Sequence, residues 1–456
     1  MGACHDAGRA GDGACLGDSD CAAGLCRVSE GAVPADLAPL DLSCGAAATG
    51  AGEGEACAIG SDCARGLCVV AGTCRVPCGR DADCTGDGRC AHVFARTGVT
   101  ALQPAFACIP RFTLPADVVA TREGIVELAA GDAETDVLLP GLGPNGLAIV
   151  SPECDVTALG VYLRTRDEPT TVLFDVHRSG DPALEPPLNP IAAAARPLTA
   201  LLPNGSLSVL SEAGYSLRVR SGGGGPAEVV TLERAARGTT LDLDLYYVGG
   251  RGLRPEGVRG PAGLAPSVDA LESILAVAAI ALGEVRQHDV VGGLLGRHSV
   301  IERAPNGAYD ELSELFALTA GAPSPSVSVF LVRSIDGAIG FSGGVPGPAG
   351  ITGSDGSGIA IGLDLLPTLS ALDTVLAHEV GHYLGLFHTT EPAGLVLEPL
   401  SDTPACSRDR DADGNGILTA EECAGAGADN LMFWATSGEA LSEQQMDVLG
   451  RSFLLR

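Results

Sequence analysis

Thirteen of the chain's 16 cysteines fall within its first 108 residues, and nothing constrains that stretch more. The density exceeds the ~8–10% that marks a disulfide scaffold, in a segment too poor in large apolar side chains to bury a core. Cys15-x5-Cys21-x4-Cys26 and Cys57-x5-Cys63-x4-Cys68 share spacing and filler, and Cys78-x5-Cys84-x5-Cys90 is a looser third copy. Zinc-binding cysteines would come as CxxC-type pairs supported by His, so residues 1–110 are predicted to be small disulfide-rich repeats, open to a surface partner. Such repeats mature in an oxidising compartment. The expected location is therefore secreted or cell-surface. No signal peptide is present in the sequence, and the opening Met1-Gly2-Ala3-Cys4 is compatible with a lipid anchor. No apolar run reaches the ~18 residues of a transmembrane span. Cys154 is expected to pair with the N-terminal region; a zinc-binding thiolate latch is the alternative.

At 456 residues the chain is long enough for two or three domains. All 28 of its positive charges are arginines, which excludes Schiff-base, P-loop and general-base lysine chemistry. They face 57 Asp and Glu, for a formal net charge of −29, a balance that argues against nucleic acid as a partner. Aromatic residues make up only 4%, so stacking platforms are scarce.

Residues 111–250 carry short alternating apolar runs separated by Gly, Pro and Asp, from GIVELAAG to TTLDLDLYYV, and predict an all-β sandwich. His177 is read as a half-buried strand residue and Asn204-Gly205-Ser206 as a sequon by pattern only. Residues 251–266 form a Gly/Pro linker. Beyond it the sequence predicts a helix over 268–285, strands over 326–335 and 358–363, and a further helix. Residues 267–456 are thus expected to be a third, α/β-type (α+β) domain of a multidomain protein.

That domain contains TLSALDTVLAHEVGHYLGLFH, residues 368–388. Ser370 and Asp373 suggest a capping box, and Leu372, Val375, Leu376, Val380 and Leu384 lie near one helical face. His378 and His382, four residues apart, project from the same face and can share a zinc ion. Glu379 sits beside them as a general base for a zinc-activated water. Gly385 can enter the left-handed region and turn the chain so that His388 supplies a third ligand.

The whole string His378-Glu379-x-x-His382-x-x-Gly385-x-x-His388 resembles the metzincin zinc-protease signature. That resemblance implies a Met-turn, for which Met432 in ADNLMFW is the candidate, whereas Met446 reads as core. HEVGHYLGLFHTTE, SDTPAC, the NLM turn and the closing LSEQQMDVLGRSF are similar to the pappalysin group, over about residues 267–456. This implies a zinc endopeptidase with an active-site helix and a lower calcium-stabilised subdomain, with Asp402 and Thr403 assigned to a second site. The family usually has Tyr where this chain has Trp434, and an indole supplies no phenolic oxygen to the zinc or the oxyanion.

Asp411-x-Asp413-x-Asn415-Gly416-x5-Glu422 fits an EF-hand calcium loop, with Ile417 giving its carbonyl and a Cys406–Cys423 disulfide clipping the ends. Pro404 and Gly425 leave no room for paired flanking helices. Gly340-x-Ser342-x-Gly344 matches a serine-hydrolase elbow, but VPGPAG follows where a helix is required. The expected function is a secreted zinc metalloendopeptidase acting on protein or peptide substrates. The alternative is a catalytically weakened or inactive zincin serving as a cell-surface binding or adhesion protein.

Overall fold

The structure is a computed structural model of the 456-residue chain. It describes residues 15, 21, 25–28, 40, 42–45, 49–79, 81–86, 88–98, 102–142, 146–152, 156–164, 169–175, 197–202, 214–251, 253, 264–290, 293–303, 309–322, 325–394, 398, 400–436 and 438–456. Cys4, Cys154, His177, the sequon and most of the 251–266 linker lie outside the described residues.

The cysteine repeats are three units of one connectivity, first to third and second to fourth. Cys15–Cys26 and Cys21–Cys44 close the first, Cys57–Cys68 and Cys63–Cys74 the second, Cys78–Cys90 and Cys84–Cys108 the third. No described cysteine is free. Their strands are β1 (Leu25–Val28), β2 (Leu42–Gly45), β3 (Val76–Pro77), β4 (Gly88–Arg96) and β5 (Leu102–Pro110). The β4–β5 hairpin of the third unit is long enough to send Phe94 and Leu102 into a core shared with Leu312, Leu315, Phe316 and Phe330.

Eight strands follow: β6 (Val118–Leu128), β7 (Glu134–Leu139), β8 (Gly146–Pro152), β9 (Val156–Arg164), β10 (Pro169–Asp175), β11 (Leu198–Leu202), β12 (Tyr215–Ser221) and β13 (Gly225–Arg234). They form two antiparallel sheets, ordered β10-β9-β12-β7 and β11-β8-β13-β6. In the second sheet, Ala148, Val150, Ala200, Leu202, Ala227 and Val229 pack with Val137, Leu139, Tyr215 and Leu217 of the first. Its opposite face, Leu147, Ile149, Leu201, Val230 and Leu232, is also buried, in the core of the C-terminal half. Short runs apolar at every position, rather than alternating, are what a sheet buried on both faces requires.

The C-terminal half contains β14 (Thr240–Tyr247), α1 (Ala265–Val277), β15 (Ala281–Asp289), α2 (Gly293–His298), β16 (Val300–Ile301) and α3 (Asp310–Phe316). β17 (Val327–Val332), β18 (Ser334–Ile335), β19 (Gly340–Ser342), β20 (Ile359–Gly362), α4 (Ala371–Leu384) and α5 (Glu443–Gly450) complete it. Its main sheet runs β15-β14-β17-β20-β19, parallel except for the antiparallel edge strand β19. Two expectations are corrected here. TTLDLDLYYV is not the last strand of the sandwich: as β14 it lies inside this sheet, with Leu243 and Leu245 in the core beside α1 and α4. Its acidic face is satisfied by distant partners, Asp242 by Arg456 and Asp244 by Arg286 and His288. The predicted helix 268–285 ends at Val277, because Ala279 takes a left-handed φ of 57° and the chain continues as β15.

Because one buried cluster joins the sandwich to the C-terminal half, a charge placed there must disrupt both. Ile149→Asp buries an unpaired carboxylate and is expected to cost about 3 kcal/mol or more. Thermal unfolding followed by circular dichroism should show one transition moved well down; a midpoint within a degree or two of wild type would contradict the shared core.

A candidate metal centre

α4 is held by its apolar face, with Leu372, Val375, Leu376, Val380 and Leu384 buried. The predicted capping box does not form. Ser370 is itself helical (φ −66°, ψ −19°) and shares a hydrogen bond with Thr368. Asp373 instead accepts from Ser267 Oγ at 2.6 Å, tying α4 to α1. At the other end Gly385, at φ 120°, closes the helix with its N–H on the carbonyls of Gly381 and His382.

The histidines meet after that turn. A ligand atom from each of His378, His382 and His388 lies within 4.8 Å of the other two. Their orientation follows from what each Nδ1 touches. His378 Nδ1 is 2.7 Å from the Leu431 carbonyl, His382 Nδ1 2.7 Å from the Leu386 carbonyl, and His388 Nδ1 2.9 Å from Glu391 Oε1. A carbonyl or carboxylate oxygen only accepts, so each Nδ1 carries a proton, and a ring in its neutral form then keeps its lone pair on Nε2. His378 Nε2 and His388 Nε2 stand 3.1 Å apart, close enough for one ion to be shared between them. Burial, then the neighbouring His388, holds the His378 imidazole down at about 3, against the pull of the Leu431 carbonyl. His382 is lowered by the same causes, burial first. Burial thus favours the neutral form of His378 and His382, the form that binds metal.

Met432 is fully buried in a tight turn beneath the helix, with Phe433 N–H on the Asn430 carbonyl. Its sulfur lies 2.7 Å from where a Cβ on Gly381 would sit, so the glycine lets α4 pack closely on the turn. Sequence reasoning missed the residues that define this turn. Asn430 Oδ1 accepts the Met432 N–H at 2.8 Å, and Gln445 and Glu398 are buried behind it.

Glu379 is 6% exposed, next to His378 and under β19, where a Cβ on Gly340 would overlap its carboxyl. Burial pushes that carboxyl up to about 8. Ser342, in the rejected serine motif, donates to the Gly344 carbonyl at 2.8 Å.

The acidic loop closes on itself and is clipped by Cys406–Cys423. Oxygens of Asp411, Asp413 and Glu422 lie within 4.8 Å of one another, and Asp411 Oδ1 is buried with no hydrogen-bond partner. Asn415 Nδ2 donates to Asp413 Oδ2 at 2.8 Å, and Ile417 is exposed. Leu418 links the loop to the histidines, since its N–H donates to the carbonyl of Pro392, the residue after Glu391. The Trp434 Nε1–H donates to the Leu418 carbonyl at 2.9 Å, and its ring packs with the cluster of Cys406, Leu418, Cys423 and Phe433. Asp402 caps the start of α5, accepting from Ser442 Oγ at 2.8 Å and Gln444 N–H at 2.9 Å.

No protein-family model matches the chain, and no curated protein matches it. Among solved structures it is similar to metalloproteinase-II from Bacteroides fragilis at a TM-score of 0.23 and 13% identity, over 38% of this chain. The chain spans 58% of that protein's length.

Glu398 gives this region a pH dependence. Burial pushes its carboxyl from 4.5 up to about 8, against the hydrogen bonds from Thr403 and Gln445. The folded protein therefore holds a proton that the unfolded chain has released, so this contribution is complete below pH 4.5 and lost as the pH rises to 8. Glu398→Gln should match wild type in thermal stability in acid and exceed it in alkali, the gap opening across that window. Parallel melting curves would contradict the assignment.

Proposed function

We propose that the chain is a zinc-dependent metalloendopeptidase, secreted into an oxidising compartment. The observation that carries the reading is the three Nε2 lone pairs turned towards one point, with every Nδ1 proton already committed elsewhere. Three imidazoles of that kind form the donor set of a catalytic zinc, leaving one position open. Zinc, when bound, supplies Lewis acidity to a water and to the scissile carbonyl.

The chain's own residues do the rest. Glu379 lies one residue from a ligand, in a pocket that excludes bulk water, and a nearby cation favours its ionised form. As carboxylate it takes a proton from the attacking water, then returns it to the leaving amine. The outer edge of β19 is unpaired within its sheet and lies over Glu379, where an extended peptide can add as a further strand. The disulfides of the cysteine units support an extracellular location. No helix among the described residues is long and apolar enough to cross a membrane.

Glu379→Gln should retain zinc yet lose casein cleavage by about 10²-fold or more. A zinc-loaded variant that cleaves like wild type would remove Glu379 from the mechanism.

Calcium in the 411–422 loop fits the same reading. The orphaned Asp411 oxygen, beside those of Asp413 and Glu422, wants a cation, with Asn415 and the Ile417 carbonyl completing the EF-hand-like set. Trp434, the only tryptophan, reports on it directly. Calcium should change Trp434 fluorescence and raise the melting temperature, and Asp411→Ala should abolish both; an unchanged response in that variant excludes the loop. The reading as a non-catalytic binding protein draws on Trp434, which stands where a Tyr is expected and whose indole N–H is taken by the Leu418 carbonyl. A zinc-replete protein inert towards casein, gelatin and peptide libraries alike would favour it.

A further inference from the structure

We propose that Gln445 is a positioning residue of the metal site, acting through Asn430 on the turn that orients His378. The inference rests on the metal reading of the three histidines and concerns how their geometry is maintained. Gln445 lies in the first turn of α5 and is fully buried, as Asn430 nearly is. Their two amides face each other in a closed pair. Asn430 Nδ2 donates to Gln445 Oε1 at 2.8 Å, and Gln445 Nε2 donates back to Asn430 Oδ1 at 3.1 Å. Gln445 Oε1 also takes the Ser442 N–H at 3.0 Å, and Nε2 reaches Glu398 Oε1 at 3.4 Å. Every hydrogen-bonding site of the Gln445 amide is thus engaged, and rotating either amide would set donor against donor and acceptor against acceptor.

The pair matters because of what Asn430 does next. Its Oδ1 also holds the Met432 N–H, and its carbonyl holds the Phe433 N–H at 3.1 Å, so its side chain and backbone together shape the turn. Two groups on that turn reach the ligands. The Leu431 carbonyl takes the Nδ1 proton of His378, and the Met432 carbonyl takes the Thr389 N–H, next to His388, at 2.9 Å. A helix that begins 65 residues after the first ligand in sequence thereby bears on the ring of His378 and on the backbone beside His388. Capping α5 does not explain this arrangement. The cap needs only the contacts with Ser442, whereas the bonds to Asn430 and Glu398 lead away from the helix. Outer partners of metal-bound histidines commonly govern affinity by about 10–100-fold.

The experiment measures zinc affinity of the full chain by competition with a chromogenic chelator, and the visible spectrum of the cobalt-substituted protein. Gln445→Leu, similar in size but unable to pair, is expected to bind zinc about tenfold or more weakly, with an altered cobalt spectrum. Gln445→Met, also similar in size and unable to pair, should behave likewise, and it carries the test alone if Gln445→Leu does not fold. Ser442→Ala removes the cap of α5 without touching the amide pair. It should lower the melting temperature while leaving zinc affinity within about threefold of wild type, well short of an outer-partner loss. The proposal is overturned if a folded Gln445→Leu or Gln445→Met binds zinc as wild type does, or if Ser442→Ala weakens binding as much as they do. Wild-type protein that binds no zinc overturns the metal reading itself, and this inference with it; that result is seen before any variant is compared.

Discussion

Three protons set the character of this molecule. Each of the clustered imidazoles gives its Nδ1 hydrogen to an oxygen outside the cluster, and the three acceptors come from different places: the close of the helix, the chain just beyond His388, and a turn far downstream. Once those oxygens are placed, the tautomer of every ring is determined, and so is the convergence of the remaining lone pairs. Much of the C-terminal half serves to place them. Gly385 delivers the Leu386 carbonyl, the close fit of Gly381 on Met432 delivers that of Leu431, and the acidic loop leans on the segment that carries Glu391.

The back of the same helix explains why the N-terminal half is present at all. A sheet apolar on one face can be a free-standing sandwich, but Leu147, Ile149 and Leu201 make the second face apolar too, and that face has to be covered. Here α4 and its surroundings cover it. The cysteine units are docked in turn through Phe94 and Leu102 onto the core around Phe316 and Phe330. Against the expectation that they bury no core, the units share a small one of Leu40, Leu67, Val69, Val93 and Ile109, which their disulfides supplement.

Local chemistry was readable from the sequence and distant chemistry was not. The histidine string, the Met432 turn, the Cys406–Cys423 clip and the strands around 327–332 and 359–362 all depend on neighbours within about 20 residues, where spacing carries the information. β14 was misassigned because alternating Asp and Leu reads as a half-exposed strand. Its acids are in fact satisfied by Arg286 and Arg456, which no local pattern announces. Ser370 looked like a cap because the motif is short, and the demand of Ser267 for Asp373 prevailed. The direction of Trp434 was equally hidden, since it is decided by a carbonyl 16 residues upstream.

The doubly buried sheet also joins two free energies. Any ion held by the histidines stabilises whatever must unfold for it to leave, by an amount that grows with the logarithm of its concentration over its dissociation constant. Since α4 shares one buried core with Ile149 and Leu201, that stabilisation extends to strands that never approach the ion. Amides on β8 and β11 would then exchange with solvent at a rate set by metal supply, so the sandwich reads out the occupancy of a site it does not touch.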